Sequence, residues 1–164
     1  MDSTTTAQRI TKAPKYMACV DHRPESHVAL RLACMKAKTR GGAVTMVHVV
    51  APADFQTLGA IADRMKEERR REGEELLSSL ADQAFSLYGV RPHLMLREGS
   101  SGEEIINASL EDHEIIMMVI GIASQNSGRG RLAAWLAGQL GHRLLTPLLM
   151  VQGNLTEEQL QSLV

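Results

Sequence analysis

Five short apolar runs divide this 164-residue chain: YMACV (16 to 20), AVTMVHVV (43 to 50), RPHLMLR (91 to 97), EIIMMVIG (114 to 121) and PLLMVQG (147 to 153). The stretches between them space their apolar residues for helices. In HRPESHVALRLACMKAKTRGG the stripe is Val28, Ala29, Leu32, Ala33 and Met35, with Pro24 suited to the first turn and Gly41 and Gly42 stopping the helix. From Phe55 to Tyr88 the pattern is helical again, through Leu58, Ile61, Met65, Leu76, Leu77 and Leu80, with Gly73 a point of loosening. Ser101 and Glu104 are spaced as a capping box ahead of IINASL. RLAAWLAGQLGHRLL predicts a fourth helix, ended by Thr146 and Pro147.

Strands that read as continuous apolar runs need cover on both faces. The order βαβαβαβαβ therefore predicts an α/β fold: a single open five-stranded parallel sheet with helices on both faces and right-handed crossovers. EIIMMVIG, the most apolar run, is expected at the centre, and Pro92 places the third run at a strand start or sheet edge. Residues 1 to 14 read as a flexible N-terminal arm, 15 to 153 as one domain, and 154 to 164 as a polar C-terminal tail with a helical signal from Thr156.

Composition narrows the class of function. Aromatic residues are only 3%, so the core is aliphatic and Met-rich. With 18 Lys and Arg against 19 Asp and Glu, neither a nucleic-acid groove nor an anionic membrane surface is suggested. KEERRREGEE (66 to 75) mixes both signs and reads as a solvated helix face with i,i+4 pairs. No apolar run approaches the roughly 20 residues that span a bilayer, and the first residues lack the apolar core of a signal peptide, so a cytoplasmic protein is expected. Cys19 and Cys34 have no CxxC or Cys/His partner and read as buried reduced thiols.

In an open parallel sheet, ligands bind beyond the carboxyl ends of the strands, where the strand order reverses. The residues just past the strands are Asp21, Val50 and Ala51, Glu98 to Ser100, and Gly121 with its loop. Two readings of Asp21 stand: a carboxylate for a ribose or base, or a turn residue ahead of a helix. Gly121 opens GIASQNSGRGRLAAW (121 to 135), which runs into a helix N-terminus able to attract an anion, or else supplies a tight turn. Together they outline a nucleotide with its base near Asp21 and its phosphates near the loop. GRGRLA (128 to 133) fits a dinucleotide fingerprint in form, but it begins seven residues past the strand end and lacks the later acidic residue. There is no GxSxG, no GxxxxGK[ST], and the six histidines never fall at metal spacing. His48, inside a strand, reads as a core or sheet-end residue.

ACVDHRPESHVALRLACMKAKTRGGAVTMVHVV resembles the opening of the universal stress proteins, in which a strand ends in Asp, a helix follows, and the next strand closes with a His-Val pair, here His48 and Val49. REGSSGEEIINAS is similar to that family's glycine after strand three and the Ile-containing helix behind it, while IIMMVIG and TPLLMV match its last two strands. The similarity runs from Tyr16 to Gln152. It implies a Rossmann-like, adenine nucleotide alpha hydrolase-like fold and a site for ATP or AMP, with Mg accompanying the nucleotide. The implied contacts are Cys19, Val20, Asp21 and Val49 on the base side, with Ile120 and Gly121 at the fourth strand. A homodimer through the last strand, Pro147 to Gln152, is implied as well.

Nucleotide-binding members carry G-x2-G-x9-G-[ST] after strand four. Anchored without gaps on Gly121 and Pro147, this chain has Ser124 at the second glycine, Ala134 at the third and Trp135 at the Ser/Thr. The resemblance so qualified implies a regulatory or binding protein with weak or lost nucleotide binding and no reaction of its own beyond slow ATP hydrolysis. One alternative is a functional ATP or AMP binder in which Ser124, Ser127, Arg129 and Arg131 hold the phosphates. Another is a protein-interaction module whose Trp135 fills the phosphate end.

Overall fold

The computed structural model describes residues 12–52, 59–123 and 131–164. All but the last three residues of the expected arm, and Phe55 and Leu58 of the second helical stretch, lie outside the described residues. Five strands, β1 (Lys15–Cys19), β2 (Ala43–Val50), β3 (His93–Glu98), β4 (Ile115–Ile122) and β5 (Leu148–Gln152), form one sheet in the order β3-β2-β1-β4-β5. Every pairing is parallel. The expected fold class is the one observed. The helices are α1 (Pro24–Arg40), α2 (Ala60–Tyr88), α3 (Ser101–Glu111), α4 (Arg131–Gly138) and α5 (Glu157–Gln161).

Alternation along β1 divides the core in two. Tyr16, Ala18 and Val20 face the layer of α1 and α2, where they join Leu32, Met46 and Leu80. Met17 and Cys19 face α3 and α4 and pack with Ile106, Met118 and Leu136. The middle strand is β1 rather than β4, which lies inside the sheet between β1 and β5. Both strands are buried on two faces, so their apolar content does not tell them apart. α1 begins with Pro24 in its first turn and ends at Gly41, whose φ of 64° is left-handed.

Several local expectations give way to tertiary contacts. The capping box at Ser101 is not formed: Ser101 is the first residue of α3, and the preceding Ser100 makes no side-chain cap. Glu104 instead takes a charge-assisted bond from Arg97 Nε on β3 at 2.9 Å, and Arg97 also grips Glu111 at 2.7 Å. The fourth helix stops at Gly138, well before Thr146. There Gln139 O accepts the N–H groups of Arg143 and Leu144, both at 2.9 Å, in a turn that buries Leu144 completely. Gly73 does not loosen α2. It lets the helix lie close on the sheet, since a β-carbon there would come within 2.8 Å of Leu96 and 3.1 Å of His48.

The charged stretch of α2 does form i,i+4 pairs, Arg70 with Glu74 at 3.2 Å and Arg71 with Glu75 at 3.8 Å. After β5, Thr156 caps α5 through a reciprocal capping box with Gln159. This segment is docked: Leu160 is fully buried in the core under α1. Among the described residues, no helix is long and apolar enough to cross a membrane.

Candidate functional site

The sheet order reverses between β1 and β4, and their carboxyl ends part to open a crevice of about 80 Å³. Its backbone wall comes from β2. Val47 gives its carbonyl to Val20 N at 2.9 Å, and Val50 gives its carbonyl to Gly99 N at 3.0 Å, so successive residues turn to opposite neighbours. By that alternation Val49 aims both its N–H and its C=O at the space that β1 has left. A donor and an acceptor side by side can read the edge of a heterocycle.

Asp21 does two jobs at once. Its Oδ1 accepts the Arg23 N–H at 2.8 Å, which shapes the turn into α1, and Ser26 Oγ and His27 Nε2 both reach its carbonyl at 3.0 Å. Its Oδ2 has no protein partner among the described residues, and the side chain lines the crevice. His48 Nδ1 lies 2.8 Å from the Val20 carbonyl, which can only accept, so Nδ1 carries the proton. Cys19 lies at the bottom; burial, with the charge of Asp21 adding to it, pushes its thiol up to about 12.

The first turn of α1 is pressed onto the ends of β4 and β5. A β-carbon on Gly121 would collide with the carbonyl oxygen of Glu25, and one on Gly153 would lie 2.6 Å from the Glu25 β-carbon. Gly121 is therefore demanded by close packing. Glu25, only 8% exposed, lines the crevice beside it. On the other side, α3 contributes Ser101 and Ile105, and the start of α4 contributes Leu132 and Ala133.

These features coincide with a family pattern. The model of the universal stress protein family matches residues 14–152. The chain belongs to the universal stress protein family. Among solved structures, this universal stress protein is similar to UspA of Lactobacillus plantarum, at 13% identity and a TM-score of 0.73, over 86% of this chain and 99% of that one. It is also similar to a family member from Burkholderia pseudomallei, at 20% identity and a TM-score of 0.67, over 85% and 96% of the two chains. A third is the Arabidopsis thaliana family protein solved with AMP bound, at 14% identity and a TM-score of 0.60, over 85% and 91%. At such identities the likeness is one of fold. No curated protein matches the sequence.

The structure brings together six of the residues expected from the sequence, Cys19, Val20, Asp21, Val49, Ile120 and Gly121. Ala134 and Trp135 do not line the crevice. Ala134 is exposed, and the six-membered ring of Trp135 packs on Gly102 of α3, with the Arg143 guanidinium 5.9 Å from the indole centre. Ser124, with Ser127 and Arg129, lies outside the described residues. Among the lining residues, sequence reasoning passed over Arg23, Glu25, Ser101, Ile105, Leu132 and Ala133. For Glu25 a signal existed: it occupies the first turn of the helix that follows the switch-point strand.

Proposed function

We propose that this universal stress protein is a regulatory or binding protein that holds adenine nucleotides weakly or not at all and catalyses no reaction of its own. The observation that carries this reading is the start of α4. Where a phosphate would meet the helix N-terminus, Leu132 and Ala133 offer apolar side chains to the crevice. The volume agrees: about 80 Å³ is well below the roughly 300–1,000 Å³ of sites that enclose drug-sized ligands. The base end retains the Val49 peptide groups and Asp21, and similar folds have been solved with cAMP and dAMP as well as AMP. Calorimetric titration of the full chain with ATP, with and without Mg, tests the reading. A dissociation constant below roughly 10 μM, about −7 kcal/mol, would overturn it.

The same reading includes cytoplasmic residence and a homodimer through the last strand. β5 has a sheet neighbour only in β4 among the described residues, and its Met150 is 47% exposed. An open strand edge invites pairing. Light scattering of the wild type and of Met150→Arg tests the dimer: a wild-type monomer at micromolar concentration is the result against it.

A further inference from the structure

We infer that a second binding site lies between α1 and α2, apart from the crevice, and that it takes a small amphiphile with an apolar body and an anionic head. A cavity of about 390 Å³ opens there, and it shares no lining residue with the crevice. Its volume falls within the roughly 300–1,000 Å³ of sites that enclose small molecules, a size the crevice does not reach. The inference goes beyond the nucleotide reading and does not depend on it.

The body of the site comes from two helix faces. His27, Arg31 and Cys34 on α1 and Leu80, Ala84 and Leu87 on α2 follow the same spacing of four and then three residues, so each set forms one stripe along its helix. Cys34 and Ala84 contribute only small side chains, and the stripes leave space between them. Val28 and Leu30 add buried apolar wall, while Leu87 is 58% exposed. An aliphatic chain lying there removes apolar surface from water on both partners.

The polar end is organised in advance. Arg31 Nε donates to the Tyr88 hydroxyl at 3.2 Å, Tyr88 donates to Glu157 at 2.9 Å, and Glu157 pairs with Arg31 Nη2 at 2.9 Å. This ring ties α1, α2 and α5 together and fixes the guanidinium without saturating it: at least three of its five N–H groups have no acceptor among the described residues. Arg31 and Tyr88 line the cavity, and among the described residues no Asp or Glu does. A carboxylate head matches this end, since a hydrogen bond between charged groups is about twice as strong as a neutral one.

Calorimetry of the full chain with octanoate and with 1-octanol provides the test, on the wild type, Ala84→Met and Arg31→Gln. Thermal melts verify that both variants are folded. The expected result is a wild-type dissociation constant for octanoate below about 1 mM, with 1-octanol about fivefold weaker or more. Ala84→Met, which fills the cavity without touching the polar ring, should weaken both ligands by about tenfold. Arg31→Gln should bring the two ligands within about twofold of each other. No octanoate binding up to about 10 mM overturns the inference, as does binding that Ala84→Met leaves unchanged. Octanol binding as tightly as octanoate to the wild type overturns the anionic head without any variant. A preference for octanoate that survives in Arg31→Gln removes Arg31 as its cause.

Discussion

The carbonyl oxygen of Glu25 occupies the place that a β-carbon on Gly121 would need. One glycine therefore serves two ends of the molecule: it closes β4 and it admits the first turn of α1 to the sheet. The crevice has its shape because these two elements touch.

Gly121→Ala should accordingly destabilise the protein rather than merely alter a ligand site. The added methyl meets backbone, which cannot rotate away, so α1 must shift off the sheet at a loss of about 3 kcal/mol or more. Urea denaturation of wild type and variant measures this. A change under about 0.5 kcal/mol would show that the contact is not maintained in solution.

Leu160→Ala tests whether the residues after β5 are part of the fold. Leu160 is fully buried beneath α1, and Glu157 beside it accepts from Tyr88 at 2.9 Å and pairs with Arg31 at 2.9 Å. The expected loss is about 2–4 kcal/mol in chemical unfolding. A neutral outcome would mean that α5 is not docked.

Asp112 predicts a decline of stability in acid. Burial raises its carboxyl, but the ion pair with Lys15 and the Glu114 N–H outweigh that and hold it below the ordinary 3.8. A depressed folded-state value gives stability that is present above the ordinary value and lost as pH falls through the folded one. Asp112→Asn should lose about 1 kcal/mol near pH 7 and show a flatter profile below about pH 4. Parallel wild-type and variant curves down to pH 2 would contradict the assignment.

Both thiols should be silent in the folded protein. Cys19 and Cys34 are buried and free, and desolvation pushes each up to about 12. At pH 8 about one thiol in ten thousand is then ionised. A soluble disulfide reagent should react slowly with the native chain and rapidly with two thiols once urea is added. Fast native reaction of one thiol would point to an opening of the crevice or of the core under α1.

Much of the architecture was legible in the sequence because it depends on local periodicity. Apolar runs too continuous for a one-sided strand required a covered parallel sheet, and helical spacing between them supplied the cover. Position along the chain then placed Asp21 and Gly121 at strand ends, where the switch-point rule expects a ligand, and Val49 was added by the family resemblance. What those residues do was decided by contacts between distant segments. Gly121 is a packing glycine because Glu25 lies on it, and Gly73 because Leu96 does. Trp135, at a signature position for phosphate, packs instead on Gly102, while Leu132 and Ala133 turn into the crevice. The start of α4 is set by where its helix meets α3, and periodicity carries no record of which faces of two helices meet. Glu104 likewise left its capping role for Arg97 on β3, a partner that only the folded sheet brings within reach.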